Sequence, residues 1–324
     1  MGFFGLGFTL IAVLLAPTFA RADDNSLLLL QRMAQAAKHL TYTGTFVYQS
    51  GGRMETSHIA HTWADGRDME HIEVLDGSPR ETLRKGEETT CFLPDEKRLI
   101  IETRSAQHRF PALLPAGLGS LPDYYLISRN GQGRVAGLDS QIVVIKPRDN
   151  LRYGYRLWMD GASGLLLKST ILDERGETLE LFSFTQVNIG QPLERDALKP
   201  RFVSDDVQVQ KITTKEIVPE DLGWIFHTAI PGFHRISAMR RQSSGGRPSS
   251  LHVLFSDGVA SISTFIEPRN PASRAGRQAL PVISSYGPIN VYHRQMDDYL
   301  LVVMGEVPAV AVKLLGDGIE WKKK

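Results

Sequence analysis

The apolar positions of the chain follow two different periods, and the first is helical. Residues 27–40 carry apolar side chains at steps of three and four, which is the spacing of one face of an α-helix. Residues 24–26 supply polar side chains of the kind that cap a helix N-terminus. Lys38 and His39 fall in the last turn, where the helix dipole favours positive charge. The pattern predicts one amphipathic helix.

From residue 42 onward the dominant period is two, which indicates strands. The run YTGTFVYQSGG at 42–52 is rich in β-branched and aromatic residues and ends in a glycine turn. Similar runs follow, with Gly- or Asp-containing turns every 9 to 14 residues or so, as in an antiparallel meander. Residues 109–126 hold three prolines and two glycines and favour a loop with a short helix. About nine strands and a helix therefore predict a large curved sheet or open barrel.

The pattern weakens again over residues 191–214, which carry two prolines. We interpret this segment as a linker, preceded by a larger domain at 23–190 and followed by a smaller one at 215–324. The smaller domain is predicted to contain strands and a last helix that begins at Pro308 and ends before Gly316. The predicted fold class is α+β, mostly β: a large unclosed antiparallel barrel with helices, then a smaller sheet with a helix.

The first residues have the character of an export signal. Residues 1–20 contain no charged side chain, and Ala20 and Ala22 form an A-x-A-like cleavage site. The apolar run before them is about 14 residues long, shorter than the ~20 residues of a membrane-spanning helix. We expect a signal peptide over residues 1–22, cleaved after Ala20 or Ala22. An uncleaved anchor is the alternative.

The composition mainly excludes some classes of protein and partner. With 42% hydrophobic and 23% charged residues the chain is ordinary globular protein. Because 37 Lys and Arg balance 36 Asp and Glu, a nucleic-acid partner is not expected. Cys91 is the single cysteine, so it cannot form a disulfide within the chain. We expect a buried thiol there; intermolecular pairing, and hence a homo-oligomer, is the alternative.

Motifs that carry chemistry do not occur. The Walker loop, the G-x-G-x-x-G fingerprint and the G-x-S-x-G elbow are all missing from the sequence, so we expect neither catalytic residues nor a cofactor. His58, His61 and His71 form the one tempting metal cluster. His58 and His61 lie three apart in a strand-like run and therefore face opposite sides. We interpret all three as polar positions on a half-exposed sheet and expect no metal.

Two rows of large side chains share faces of predicted strands. Such rows most often belong to a core, but in an incompletely closed barrel they can line a ligand cavity, and lipid would suit it. The candidate lipid-binding residues are Tyr42, Phe46, Tyr48, Tyr153, Tyr155 and Leu157.

Several arginines are candidates for anion recognition. They could bind lipid phosphates or acidic segments of a partner, although solvated surface is the simpler interpretation. They are Arg148, Arg152, Arg156, Arg240, Arg241 and Arg247.

Five stretches resemble one family, the periplasmic sigma-E regulatory proteins RseB and MucB. They fall in both proposed domains and in the family's order. They are YTGTFVYQSGG (42–52), KPRDNLRYGYRLWMDGASGLLLKS (146–169), ERGETLELFSFTQVN (174–188), FSDGVASISTFIEP (255–268) and VVMGEVP (302–308). The IPGF at 230–233, after Trp224, is similar to a further family element, with Ile230 in place of a proline.

The resemblance implies a periplasmic, non-enzymatic regulator whose larger domain is similar to the lipoprotein carriers LolA and LolB. It implies binding to the periplasmic domain of a membrane-spanning anti-sigma factor of the RseA or MucA type. That binding would hinder the first regulatory proteolytic cut, and lipid or lipopolysaccharide would release it. The resemblance carries over no individual partner-binding residue. A periplasmic lipid or lipoprotein carrier is the main alternative, and an envelope hydrolase is a third.

Overall fold

A computed structural model describes residues 24–103, 119–202, 206–218, 223–227, 230–243, 249–269 and 280–322. These residues form helices α1 (Asp24–His39), α2 (Leu121–Tyr124) and α3 (Ala309–Asp317), and a 3₁₀ turn at Pro94–Glu96. The strands are β1 (Tyr42–Ser50), β2 (Arg53–Ala64), β3 (Arg67–Val74), β4 (Glu81–Lys85), β5 (Glu88–Leu93), β6 (Arg98–Thr103), β7 (Tyr125–Val135), β8 (Leu138–Pro147), β9 (Gly154–Asp160), β10 (Leu166–Leu172), β11 (Thr178–Ile189), β12 (Gln208–Glu216), β13 (Trp224–Phe226), β14 (His234–Ser243), β15 (Ser250–Ser256), β16 (Ser261–Pro268), β17 (Val282–Tyr286), β18 (Ile289–Met296), β19 (Tyr299–Gly305) and β20 (Ile319–Trp321).

The first eleven strands form one antiparallel sheet around α1. Their order is β7-β8-β9-β10-β11-β1-β2-β3-β4-β5-β6, and within the described ranges β7 and β6 do not pair with each other, so the sheet stays open. Helix α1 lies against β2, β7 and β10. It buries Leu29, Leu30 and Met33 in the core that the curved sheet encloses. The predicted amphipathic helix and the unclosed, mostly β fold are both confirmed.

The second sheet is smaller and has its own core. Its order is β14-β15-β16-β19-β18-β17, and α3 packs on β17, β18 and β19. Strands β13 and β20 form a separate pair beside it. Fully buried residues of this core include Val253, Ile262, Val303 and Val312.

Strand β12 joins the two sheets. It pairs in parallel with β6 of the first sheet and antiparallel with β14 of the second. The segment predicted as a linker, 191–214, therefore contains most of a strand. Because β12 is exposed or half-buried along its whole length, its side chains do not give the apolar alternation by which strands are recognised. The domain boundaries themselves remain a prediction.

The last helix ends later than predicted. Helix α3 continues through Gly316 to Asp317, and Gly318 takes the C-cap position. Gly316 is needed for packing instead of capping, because a Cβ there would lie 2.3 Å from Cδ1 of Tyr292.

The predicted signal peptide, residues 1–22, lies outside the described residues, so its cleavage remains a prediction. Within the described ranges, no helix combines the length and the apolar character that crossing a membrane requires.

Candidate functional site at the interface between the sheets

Arg152 is the centre of the contact between the two sheets. It lies two residues before the start of β9, and its side chain is 0% exposed. Its Nε donates to Oδ2 of Asp257, on the second sheet, at 2.6 Å. Its two terminal nitrogens donate to the carboxylate of Asp149 and to the carbonyl of Pro231. The guanidinium is therefore shielded from solvent and forms hydrogen bonds with acceptors from both domains.

Asp257 occupies the turn between β15 and β16 and is saturated with donors. Its Oδ1 accepts the backbone N–H groups of Val259 and Ala260 at 3.0 and 2.9 Å. Its Oδ2 accepts the hydroxyl of Tyr125 at 2.9 Å besides Arg152. Burial, and then the charge of Asp257, raise the pKa of Tyr125 well above its ordinary value, so this hydroxyl stays a donor. A buried ion pair is tolerated when its remaining hydrogen-bond positions are filled in this way.

Aromatic rings complete the surroundings of Arg152. Its guanidinium carbon lies 4.8 Å from the ring centroid of Tyr124, 5.2 Å from that of Phe233 and 5.7 Å from that of Tyr125. These are cation–π distances. Gly232, with φ +80°, leaves room for the ring of Tyr124, because a Cβ there would lie 2.4 Å from it. The IPGF segment therefore supplies the backbone shape as well as a ring.

Two carboxyl groups, one from each sheet, influence each other electrostatically. The hydroxyl of Tyr48, at the end of β1, donates to Oε2 of Glu180 on β11 at 2.5 Å. Glu306, which directly follows β19 of the second sheet, acts on both residues electrostatically. Burial, and then the charge of Glu306, raise the pKa of Glu180 to about 7, against a smaller lowering effect of the Tyr48 hydrogen bond. Burial also raises the pKa of Glu306.

Asn290, on β18, forms a hydrogen-bonded contact between the two sheets. Its side-chain amide donates to the hydroxyl of Tyr153 at 3.0 Å and to the carbonyl of Val307 at 2.8 Å. The β1–β2 and β17–β18 turns also meet here, since a Cβ on Gly51 would lie 3.0 Å from the backbone nitrogen of Gly287. The interface is therefore closely packed at its polar edge.

The predicted lipid-binding residues all belong to or pack on the first core. Tyr42, Phe46, Tyr155 and Leu157 are at most 5% exposed and lie in that core. Tyr48 and Tyr153 are half-buried against it and direct their hydroxyls to the interface between the sheets. The structure thus brings the two rows together. Their lipid-binding role remains a prediction.

The candidate anion-binding arginines differ in their exposure to solvent. Solvated surface is the wrong interpretation for Arg152, which is buried because Asp257 and the rings replace its water. Arg241 is half-buried and donates to Glu102 at 2.8 Å across the β12 junction. Arg247 lies outside the described residues. The exposed ones are Arg148, Arg156 and Arg240.

Two of the three histidines are buried, so the half-exposed interpretation was wrong for them. The Nδ1 atom of His61 lies 2.8 Å from the carbonyl of Leu40, and that of His71 lies 2.9 Å from the carbonyl of Ala197. Chain segments outside the sheet cover both rings. His58 is half-buried, and burial lowers its pKa. In the described parts of the chain, no three His, Cys, Asp or Glu side chains are grouped as metal ligands.

Sequence reasoning missed the contact between the sheets, although a signal existed. Arg152 falls in the family-like stretch 146–169 and Asp257 in the stretch 255–268. These stretches are distant in sequence, and the structure shows that they contact each other through the buried ion pair.

The open sheet around one helix, fastened to a smaller sheet by a buried ion pair, defines a two-domain open-barrel protein. A sequence model of the MucB/RseB N-terminal domain matches residues 25–202, and one of the MucB/RseB C-terminal domain matches residues 218–320. The chain belongs to the MucB/RseB family, and the resemblance read from the sequence is confirmed.

Characterised relatives span nearly the same length. The sigma factor AlgU regulatory protein MucB of Pseudomonas aeruginosa is 32% identical over 288 residues, which is 86% of this chain and 85% of that protein. The sigma-E factor regulatory protein RseB of Salmonella typhimurium is 26% identical over 314 residues, covering 94% and 93%.

Solved structures agree in fold. The structure of MucB in complex with MucA(peri) is 30% identical and aligns with a TM-score of 0.70, covering 92% of this chain and 100% of that one. The Pseudomonas aeruginosa MucA/MucB complex is 28% identical and aligns with a TM-score of 0.71 over 93% of this chain and 100% of that one.

Proposed function

We propose that this protein is a periplasmic negative regulator of a sigma-E (AlgU-type) envelope-stress response. It binds the periplasmic domain of a membrane-spanning anti-sigma factor of the MucA or RseA type and shields it from regulated proteolysis. Lipid or lipopolysaccharide releases it, and no substrate is turned over. The observation that carries the proposal is the match, through both domains, to MucB bound to MucA(peri).

The interface between the sheets supports a binding role for both domains together. The Arg152–Asp257 pair and strand β12 make one surface out of two modules. A lipid carrier of the LolA or LolB type needs only the first sheet and its core. The second sheet, held by these contacts, therefore favours the regulator over the carrier.

The proposed mechanism is linkage between two ligands. A protein segment held on another surface cannot enter a protease cleft. A lipid that prefers the released protein shifts the population away from the complex. A shift from 1% to 99% free takes about 5.5 kcal/mol of differential binding. Burial of about seven acyl methylenes, at about 0.8 kcal/mol each, reaches that value.

Protease protection tests the proposal. The mature chain, residues 23–324, is incubated with the periplasmic domain of the anti-sigma factor from the same organism, and cleavage of that domain is followed over time. We expect the chain to slow cleavage and lipopolysaccharide to restore it. Phosphatidylglycerol vesicles, tested in parallel, show whether release is specific to lipopolysaccharide or common to lipids. The regulator hypothesis would be refuted if the cleavage rate were unchanged and the chain did not bind the anti-sigma domain at micromolar concentration in a pull-down. Tight lipid uptake without capture would favour the carrier.

A further inference from the structure

The chain that joins the two sheets has no buried side chain along its described length. Residues 190–202, called the strap below, follow β11 and lead toward β12. Every residue of the strap, and every residue of β12, is exposed or half-buried. A segment with few buried apolar contacts opens more readily than a core strand. The attachment of the strap therefore depends on its polar contacts.

Glu81, the first residue of β4, supplies the main polar contact of the strap. Its side chain is 0% exposed. Its Oε1 accepts the backbone N–H of Arg201 at 2.9 Å, and its Oε2 lies 3.0 Å from the same nitrogen. Oε2 also accepts the backbone N–H of Phe202 at 3.4 Å. A buried carboxylate needs donors that replace its water, so Glu81 and the strap stabilise each other.

Two residues of β3 add to this contact. The Nδ1 atom of His71 lies 2.9 Å from the carbonyl oxygen of Ala197 in the strap, and it donates there because a carbonyl can only accept. The Nε2 atom of the same ring lies 3.5 Å from Oε1 of Glu81. Oε2 of Glu73 lies 2.9 Å from Nη1 of Arg201, whose side chain is 64% exposed. Exposed ion pairs of this kind contribute little, so Glu81 and His71 are the principal contacts.

We propose that Glu81 anchors the strap, and through it β12, so that release of the strap loosens one connection between the two sheets. Strand β12 begins six positions after Phe202 and pairs with a strand of each sheet. It contributes backbone hydrogen bonds but no buried side chain, so it depends on the segment that leads into it. The ion pair of Arg152 and Asp257 is a separate connection and keeps the sheets together when the strap is released. The strap is therefore a conformational device with a docked and a released state.

Hydrogen exchange on the mature chain, residues 23–324, tests the anchor with the variant Glu81→Gln. The amide has nearly the same size as the carboxylate but no charge, and hydrogen bonds to a charged acceptor are about twice as strong as neutral ones. We expect the opening of residues 201–202 to increase at least about tenfold, and the opening of residues 208–212 to increase with it. Exchange should not change at 142–146, within the first sheet, or at 251–255, within the second.

Three further variants separate the contacts. His71→Phe keeps a ring but removes the donor to Ala197, so opening of the same two segments should increase about fivefold. Arg201→Met removes the exposed ion pair but keeps the backbone N–H, and the increase should be less than about threefold. Glu88→Gln, on an exposed residue of the same β4–β5 hairpin, is the matched control and should keep the wild-type profile.

Trypsin gives a second measurement, because Arg201 lies in the strap. A protease cuts a segment that leaves the surface faster than one that stays docked. Cleavage after Arg201, identified by mass spectrometry, should be about tenfold faster in Glu81→Gln than in the wild type. In Glu88→Gln it should be unchanged.

Unchanged exchange at residues 201–202 in Glu81→Gln would overturn the proposal, and so would opening of these residues without opening of 208–212. An equal increase at 142–146 and 251–255 would also overturn it, since the whole fold would then be opening. Should Glu81→Gln fail to fold, exchange of the same segments in His71→Phe decides the matter. The test uses no anti-sigma factor, so its outcome is independent of the proposed function.

Discussion

Gly232 lets two domains approach each other at a single backbone position. Its φ of +80° is in the left-handed region, and the ring of Tyr124 fills the space where a side chain would be. Gly131, in an irregular part of β7, has an almost identical φ of +81° but nothing within 4 Å of an added Cβ. The two glycines therefore separate the cost of the backbone shape from the cost of the contact.

Alanine at each position measures that difference. Gly131→Ala should lower the free energy of unfolding by about 1–2 kcal/mol, the cost of a left-handed L-residue. Gly232→Ala should cost a further 1–3 kcal/mol or so, because the ring of Tyr124 must also move. Denaturant unfolding of both variants gives the comparison. Equal losses would mean that the Tyr124 contact does not hold in solution.

Helix α1 shows how an element predicted from its period is stabilised by what it packs against. Leu30 is 1% exposed in the core of the first sheet, whereas Leu28, two positions away on the same helix, is 61% exposed. Strand β7 shows the opposite case. Its central residues SRNGQG lack the alternation of a strand, so the sequence pattern did not predict it. The segment is a strand because it pairs with β8.

A matched pair of leucines tests the helix. Leu30→Ala should reduce the free energy of unfolding by about 2–5 kcal/mol, through lost apolar contact and the cavity left behind. Leu28→Ala should change it by less than about 0.5 kcal/mol. Thermal and denaturant unfolding, with circular dichroism at 222 nm as the far-ultraviolet helix signal, measure both. Similar losses would show that α1 does not pack on the sheet through the Leu30 face.

At the scale of the whole molecule, the two sheets are connected in three ways. Strand β12 hydrogen-bonds to both, Arg152 and Asp257 form a buried ion pair between them, and the Asn290 side chain of the second sheet donates to the hydroxyl of Tyr153. Because there are several such connections and one of them is buried, the two domains depend on each other for stability. We therefore expect the native chain to unfold in a single calorimetric transition.

Replacing the guanidinium should remove that dependence. Arg152→Met leaves Asp257 as a buried charge without its partner, which should cost about 3–5 kcal/mol and split the transition into two. Arg156→Met, on an exposed arginine of the same chain segment, is the control and should unfold like the wild type. A single unshifted transition for Arg152→Met would contradict the role assigned to the ion pair.

The sequence by itself determined the local elements and the family. The helical spacing of residues 27–40, the period of two in YTGTFVYQSGG and the glycine turns are local signals, because each depends on neighbours a few positions away. The resemblance, spread over both domains, then indicated the family that the comparisons confirm. The aromatic rows were found for the same reason, since residues two apart share a face.

Only the tertiary structure decided which polar groups lie between the domains. Arg152 was grouped with exposed arginines because nothing in the neighbouring sequence indicates that it pairs with Asp257, 105 positions away. Strand β12 was assigned to a linker because its hydrogen-bond partners, not its side chains, make it a strand. Burial of a charge and pairing of a strand edge depend on residues that are distant in sequence, and a local pattern does not show which distant residues will be neighbours in the fold.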